Sequence, residues 1–324
     1  MMAAQSLAER SAAMSARGRR RRNEDAVLVA TLSNGAELVA VADGMGGYAG
    51  GEVASRCALE VLRTALEAGS ELADAVRAAN AAVFQEASRS KKHHGMGTTL
   101  VALLRRGPRY VLVNVGDSRA YRIDSAGIQQ LTRDHSFVAD AVRAGHLSAE
   151  DAEKSRWRNA VTRAVGTQAE LDVDCYGPFD ALQPHTVVLC TDGLYRAISA
   201  DDLRQAVLAP SPPDDAVRQL AAAAYDAGSD DNISVVILRF GSDAASPSVS
   251  AAPDQPRAAT GPASVDGAAT PRPSAPAARL TAPWTEPSPA HRRRRSERWT
   301  LIEILLIFLG LVVLTYAVLR ILPF

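Results

Sequence analysis

The sequence predicts an α+β domain built in layers, with mostly antiparallel sheets. Strand-like apolar runs follow one another in groups and do not alternate regularly with helices, which argues against a doubly wound parallel sheet. Hydrophobic residues make up 47% of the 324 residues, which is enough to form a core. The composition also bounds this domain, because large apolar residues are rare from about Gly241 to Ala290.

The order of predicted elements is two strands, two long helices, several strands, a helical insertion, and then strands and helices again. Runs rich in Val and Ile and bounded by turn residues predict strands at residues 25–32, 37–42, 98–104, 110–115, 119–123, 186–191 and 233–240. Apolar residues recurring three and four positions apart predict helices at residues 51–68, 71–89, 136–144, 158–165 and 213–227.

The C-terminal part of the chain has the composition of a tether followed by a membrane anchor. Residues 242–298 are rich in Ala, Pro, Ser and Thr, so we expect them to be disordered. Residues 299–322 form an apolar run long enough to cross the ~30 Å hydrocarbon layer as one transmembrane helix. The basic block Arg292–Arg295 precedes this run, which predicts a single-pass protein of the inner (cytoplasmic) membrane with its N-terminal domain in the cytoplasm.

Charge and cysteine content narrow the function classes. Lys and Arg number 36, and Asp and Glu also number 36, so bulk charge predicts no nucleic-acid partner. The cysteines Cys57, Cys175 and Cys190 lie far apart without CxxC spacing, which is typical of free thiols in a reduced compartment.

Aspartates stand at the ends of five predicted strands, namely Asp25, Asp43, Asp117, Asp192 and Asp231. Asp25 opens one strand and Asp43 closes the next, so a hairpin would bring them together beside Glu24. Gathered carboxylates repel one another unless a cation compensates them. Because the ligands offered are all oxygen, without zinc-type His or Cys spacing, the pattern indicates Mg²⁺ or Mn²⁺.

The stretch "VADGMGG" and the upstream "GRRRRNED" add to this acidic pattern. Gly44 lacks a Cβ, so its carbonyl can approach a metal or its waters closely. Most of the arginines fit a solvated basic stretch, but one arginine beside a binuclear metal site would bind phosphate oxygens in its planar fork. Together these residues suggest metal-assisted hydrolysis of a phosphoester.

Eight blocks then occur in the order found in one enzyme family: "RRRNED", "VADGMGG", "GMGTTL", "VNVGDSRAYRI", "LTRDHSF", "AVTRAVG", "LCTDGLYRAIS" and "DDNISVVIL". Residues 17–241 resemble the metal-dependent type 2C protein Ser/Thr phosphatases, bacterial branch. The resemblance implies an α-β-β-α sandwich of two antiparallel sheets flanked by helices, with a mobile flap at about residues 136–164. Residues 1–16 remain as an N-terminal extension that we expect to be flexible.

The resemblance also implies an activity and a metal set. Phosphoserine and phosphothreonine would be hydrolysed by a water that bridges two Mn²⁺ or Mg²⁺ ions. Asp43 matches the bridging ligand, Gly44 a carbonyl ligand, and Asp192 and Asp231 the ligands that complete one metal. Asp117 matches a ligand of a third, weaker ion.

Three further positions match residues around the metals. Glu24 and Asp25 match an acidic pair that holds metal-bound waters, and Arg20 matches the phosphate-binding arginine. Since the glycine expected three residues before that arginine is displaced by one position, the register within Arg19–Arg22 stays open. Met45 stands where eukaryotic members carry a histidine proposed as general acid, so a metal-bound water is expected to protonate the leaving oxygen.

The partners implied are phosphorylated proteins and an opposing Ser/Thr kinase, with reversal of kinase signalling at the membrane. His135 is an alternative general acid, although its motif begins the flap. The alternative function is a catalytically weak phosphoprotein-binding or scaffold module tethered to the membrane. Loss of Asp43, Asp192 or Asp231 would mark a pseudoenzyme, and all three are present.

Overall fold

Two antiparallel sheets and two layers of helices make up the fold in the computed structural model, which describes residues 6–46, 50–89 and 91–241. The strands are β1 (Ser11–Ala16), β2 (Asp25–Thr31), β3 (Glu37–Met45), β4 (Gly97–Thr98), β5 (Leu100–Arg106), β6 (Arg109–Val115), β7 (Arg119–Asp124), β8 (Gly127–Gln130), β9 (Asp174–Asp180), β10 (His185–Cys190) and β11 (Ile233–Phe240). One sheet has the order β1-β11-β10-β7-β8, and the other has the order β2-β3-β5-β6-β9, with β4 paired to β3.

Helices lie on the outer face of each sheet and in the connections between strands. They are α1 (Leu7–Arg10), α2 (Gly50–Glu67), α3 (Leu72–Arg89), α4 (Phe137–Arg143), α5 (Ala149–Lys154), α6 (Asp192–Tyr195), α7 (Ala200–Leu208) and α8 (Pro213–Asp226). Apolar residues of α2 and α3 pack on the β2-β3-β5-β6-β9 sheet, and those of α7 and α8 pack on the other. The layers therefore run helix, sheet, sheet, helix, and the predicted α+β class with two antiparallel sheets is confirmed.

The sequence of β3 is apolar from Leu38 to Ala42 because both faces of the strand are buried there. Leu38, Ala40 and Ala42 belong to the core under α2 and α3. Val39 and Val41 belong to the core between the two sheets. Successive side chains of a strand point to opposite faces, so a strand buried on both faces has no place for a polar residue until it leaves the sandwich.

All seven predicted strands are present, as are the helices predicted near residues 51–68, 71–89, 136–144 and 213–227. The helix predicted at residues 158–165 is wrong. The backbone there bonds to other segments, with Thr162 N–H donating to the His135 carbonyl (2.8 Å) and Val165 N–H donating to the Thr98 carbonyl (2.8 Å). Backbone groups used in this way are not available to a helix.

The predicted flexible extension is also wrong for the residues that the structure describes. Residues 6–10 carry α1 with its capping box, and β1 pairs along its whole length with β11. The strand sequence "SAAMSA" has little intrinsic strand preference, so pairing with the central strand β11 overrides local propensity. Ala12 is buried against the core that α8 covers.

The predicted flap corresponds to an excursion between β8 and β9 that contains α4 and α5. Within the part of the chain that the structure describes, no helix combines the length and the apolar character needed to cross a bilayer. The predicted tether at 242–298 and the predicted transmembrane helix at 299–322 lie outside the described residues.

Candidate metal and phosphate site

The hairpin of β2 and β3 brings two aspartates together at one end of the sandwich. Asp25 and Asp43 are directly paired residues of the two strands, as predicted. Asp25 is buried, and burial together with the charges of Asp231 and Asp192 raises its pKa to about 7. Burial and the charge of Asp25 also raise the pKa of Asp43 well above its usual range. Both carboxyls therefore favour a proton, or a cation in its place.

The other sheet reaches the same point through β10 and β11. Thr191 follows β10, and its N–H donates to the Ser234 carbonyl (3.1 Å). Its hydroxyl donates to Asp25 Oδ2 across the sandwich (3.0 Å). Asp192 is the next residue and begins α6, while Asp231 lies just before β11. The two sheets thus contribute aspartates to one site.

Asp117 completes the group from the loop after β6. It is buried, and burial together with the charge of Asp192 raises its pKa to about 7. The charges of the other four aspartates all raise the pKa of Asp43. We call these five residues the acidic cluster: Asp25, Asp43, Asp117, Asp192 and Asp231.

Glu24 and Gly44 lie beside the acidic cluster. Burial raises the pKa of Glu24, so its carboxyl also favours a compensating partner. Gly44 N–H donates to the Glu24 carbonyl (3.1 Å). A Cβ on Gly44 would stand 2.0 Å from the Gly51 carbonyl oxygen and 2.5 Å from the Glu24 carbonyl oxygen, so only glycine fits this close approach.

Asn232 holds residues 17–24, which we call the arginine-rich loop, against the site. Its side-chain oxygen accepts from Glu24 N–H (2.8 Å), and its side-chain nitrogen donates to the carbonyls of Arg17 (2.8 Å) and Arg22 (2.8 Å). Gly18 sits in the same loop at φ +58°, and a Cβ there would meet the Asp231 carbonyl oxygen at 2.2 Å. No role was predicted for Asn232, because nothing in a sequence indicates that one amide bridges three backbone groups.

Within the arginine-rich loop, Arg20 faces the acidic cluster. Its Nη2 lies 2.7 Å from Asp231 Oδ2, and its Nε donates to the Asp230 carbonyl (2.8 Å). Arg19 instead donates to the Tyr225 carbonyl (3.3 Å) and lies over the Tyr225 ring at 5.2 Å. The guanidinium of Arg20 therefore lies against a carboxylate of the acidic cluster, and that of Arg19 lies against Tyr225.

A second arginine, Arg196, reaches the acidic cluster from the end of α6. Its Nε lies 3.3 Å from Asp192 Oδ2, and its Nη2 lies 3.4 Å from Asp117 Oδ2. The same guanidinium contacts the flap at Asn159 and at the Arg158 carbonyl. No role was predicted for Arg196, although it lies in the quoted block "LCTDGLYRAIS".

The family model described as protein phosphatase 2C matches residues 14–227 of the chain. This chain belongs to the protein phosphatase 2C family. It is 33% identical over 234 residues to the serine/threonine phosphatase stp of Listeria monocytogenes, an alignment that covers 68% of this chain and 92% of the relative.

Solved structures of bacterial phosphatases share the fold. The structure of serine/threonine phosphatase Stp1 from Staphylococcus aureus superposes with a TM-score of 0.67 at 29% identity, covering 74% of this chain and 97% of that one. The catalytic domain of PstP in complex with 2 manganese ions superposes with a TM-score of 0.62 at 32% identity, covering 71% of this chain and 97% of that one.

The donor set of this phosphatase 2C domain fits hard divalent cations. Asp192 Oδ1 is buried and has no hydrogen-bond partner in the described part of the chain. A buried carboxylate oxygen without a donor is available to a metal ion. Among the described residues, no three His, Cys, Asp or Glu side chains form a group arranged to hold a metal ion as they stand. Arg20 and Arg196 supply positive charge to the carboxylates in this arrangement, so ion binding requires side-chain adjustment.

His135 has a structural position at the base of the flap. It is buried, and its Nδ1 accepts from Gly116 N–H (3.1 Å). Its Nε2 lies 3.2 Å from Asp174 Oδ2 and 3.2 Å from Arg163 Nη1. Because both ring nitrogens have protein partners, His135 ties the flap to the loop that carries Asp117, and this geometry does not favour a general-acid role.

A cavity of about 1110 Å³ opens between the acidic cluster and the flap. Asp192, Asp231 and Arg196 line one side, and Ser136 and Asn159 line the flap side. A phosphorylated side chain entering this cavity would meet carboxylates and guanidinium groups together.

Proposed function

We propose that this chain is a metal-dependent protein serine/threonine phosphatase that hydrolyses phosphoserine and phosphothreonine in proteins. One observation carries the proposal: both sheets deliver carboxylates to one point, and Arg20 stands beside them. The named relatives stp and Stp1, both serine/threonine phosphatases, support the same activity.

Two Mn²⁺ or Mg²⁺ ions would be held by Asp43, Asp192, Asp231 and the carbonyl of Gly44. Bound divalent ions lower the pKa of a coordinated water and neutralise charge on a phosphoryl group. Asp25, which accepts from the Thr191 hydroxyl, would orient water beside these ligands. Asp43 and Asp192, whose carboxyl pKa values are raised, bind an ion only when deprotonated, so ion binding releases the protons that these two groups retain.

Arg20 would bind the substrate phosphate. Its guanidinium is half-exposed and close to Asp231, so it can turn from this carboxylate to an incoming phosphate without unfolding the loop. The loop itself stays in place through Asn232. Arg20 then lies where negative charge enters the site, and it can stabilise that charge more strongly as it develops.

The decisive experiment compares Asp192→Asn with an exposed control. The full chain should dephosphorylate a phosphothreonine peptide with Mn²⁺ and lose this activity on chelation. Asp192→Asn should lower kcat by about 10²-fold or more, because a neutral amide replaces a charged ligand. Asp74→Asn, which alters only an exposed ion pair on α3, should leave kcat unchanged. Full activity after exhaustive chelation would overturn the proposal.

We also propose that the phosphatase is anchored in the inner membrane and acts there against a Ser/Thr kinase. The apolar run at 299–322 and the basic block before it support this proposal. A tether of about fifty residues would let the domain explore roughly 40 Å from its anchor by random-coil scaling. Membrane-associated phosphoproteins would then meet a raised local concentration of enzyme.

A further inference from the structure

Arg196 joins the acidic cluster to the flap through one guanidinium group. Nε faces Asp192 Oδ2 at 3.3 Å. Nη1 donates to Asn159 Oδ1. Nη2 donates both to Asp117 Oδ2 (3.4 Å) and to the Arg158 carbonyl (3.0 Å). All three nitrogens of the planar fork therefore have partners. Nε and Nη2 contact carboxylates of the acidic cluster, and Nη1 and Nη2 contact the flap.

These contacts place the positive charge of the Arg196 guanidinium where a third divalent ion would bind. Asp117 is almost fully buried, with a side-chain exposure of 6%, and Arg196 Nη2 is its cationic partner. An ion bound through Asp117 Oδ2 would take the same oxygen and would be repelled by the guanidinium. Arg196 and a third ion thus exclude each other at this position.

Arg196 also contacts the flap, so its position affects a loop of the flap. The loop at residues 156–159 is made of turns and contains no regular element. Its own backbone bonds, from Arg158 N–H to the Ser155 carbonyl (3.1 Å) and from Ala160 N–H to the Trp157 carbonyl (2.9 Å), are local. Arg196 makes two hydrogen bonds to this loop and so connects it to the acidic cluster.

We propose that Arg196 is a positioning residue that replaces a third metal ion: it balances the charge of Asp117 and Asp192 and holds the flap loop over the cleft. The inference rests on the proposed metal-dependent function. It implies that the chain works with two ions and that a third ion enters only when Arg196 releases Asp117. Release of Arg196 from Asp117 also frees the flap loop, so ion occupancy and flap position are coupled.

The test measures bound ions and flap protection in the full chain, purified in mild detergent. Mn²⁺ binding is followed by the electron paramagnetic resonance signal of the free ion. Amide hydrogen exchange is followed at Arg158 and Ala160. Wild type should bind two ions. Arg196→Gln should bind a third, weaker ion, and the flap amides should exchange about tenfold faster or more, since a contact that closes the loop is lost.

Two further variants separate charge from geometry. Arg196→Lys keeps a positive charge but lacks the planar fork, so it should still exclude the third ion while the flap amides exchange faster. Adding Asp117→Asn to Arg196→Gln should remove the third ion and leave the first two. Arg218→Gln, at an exposed ion pair on α8, serves as the control and should match wild type in both measurements.

The outcomes distinguish this inference from the function beneath it. Equal ion numbers in wild type and Arg196→Gln, or flap exchange unchanged in Arg196→Gln, would overturn the role of Arg196 while leaving a two-ion phosphatase intact. A third ion that persists when Asp117 is replaced would also overturn it. A wild-type chain that binds no Mn²⁺ would overturn the proposed metal-dependent function itself.

Discussion

Replacing Asn232 by Ala should loosen the arginine-rich loop and destabilise the domain. Asn232 is 5% exposed, and its side chain makes three hydrogen bonds of 2.8 Å to Glu24, Arg17 and Arg22. A typical intramolecular hydrogen bond contributes about 0.5–1.5 kcal/mol net, so losing three of them should cost about 2–4 kcal/mol. The catalytic consequence should be a raised KM, because Arg20 is carried by the same loop.

The assay is urea unfolding followed by far-ultraviolet circular dichroism, together with steady-state kinetics on a phosphothreonine peptide. With a slope of about 2–3 kcal/mol per molar urea, the midpoint should fall by about 1 M. Asn34→Ala is the matched control, since Asn34 is exposed and accepts one bond from Ala36 N–H (3.0 Å) in a turn. That variant should shift the midpoint much less.

A third variant separates size from hydrogen bonding. Asn232→Asp keeps the shape of the side chain but puts an acceptor in place of the donor that faces the carbonyls of Arg17 and Arg22. It should destabilise the domain at least as much as Asn232→Ala, since buried acceptors would then face one another. Wild-type stability and KM in Asn232→Asp would instead show that the loop does not depend on these bonds.

Four other predictions concern Arg20, Asp25, the membrane anchor and its orientation. Arg20→Ala should raise KM for a phosphopeptide, whereas Arg19→Ala should have little effect; the reverse result would show that the register is wrong. In metal-free protein, Asp25 has a pKa of about 7 when folded, against about 4 in an unfolded chain. The fold therefore retains a proton that the unfolded chain releases, so wild type should lose stability relative to Asp25→Asn as pH rises from about 4 to 7. Mn²⁺ should diminish this difference, and a relative stability that rose with pH would contradict the assignment. Truncation before Ser242 should move the protein to the soluble fraction with kcat on a soluble phosphopeptide unchanged, and the truncated protein remaining in the membrane would refute the anchor. External protease should spare residues 1–241 in intact spheroplasts, and digestion would refute their cytoplasmic orientation.

The parts of the fold that were predictable from sequence are those where local pattern and tertiary structure agree. The hairpin that pairs Asp25 with Asp43 follows from two apolar runs and a short turn, and the structure has this register. The gathering of aspartates at one end of the sandwich follows from their positions at strand ends. Both inferences depend on residue order alone, which a sequence supplies in full.

The parts that could not be predicted depend on contacts between distant segments. Strand β1 consists of Ala, Ser and Met, and it is a strand because β11 lies beside it. The segment at 158–165 has helical spacing, but its backbone bonds to Thr98 and His135. No role was predicted for Arg196, because its partner Asp117 lies 79 residues earlier in the chain and only the fold brings the two together. In each case the deciding partner lies far away in sequence.

The pairing of β1 with β11 has a consequence for folding of the domain during its synthesis. Ser11 lies opposite Leu238 and Ala16 opposite Ile233, so the earliest strand of the domain finds its place only beside the last. A growing chain on the ribosome exposes Asp25 and Asp43 long before it exposes Asp231. Closing a contact of such sequence separation is slow and comes late in folding. We therefore expect nascent chains to lack phosphatase activity until the whole domain has emerged.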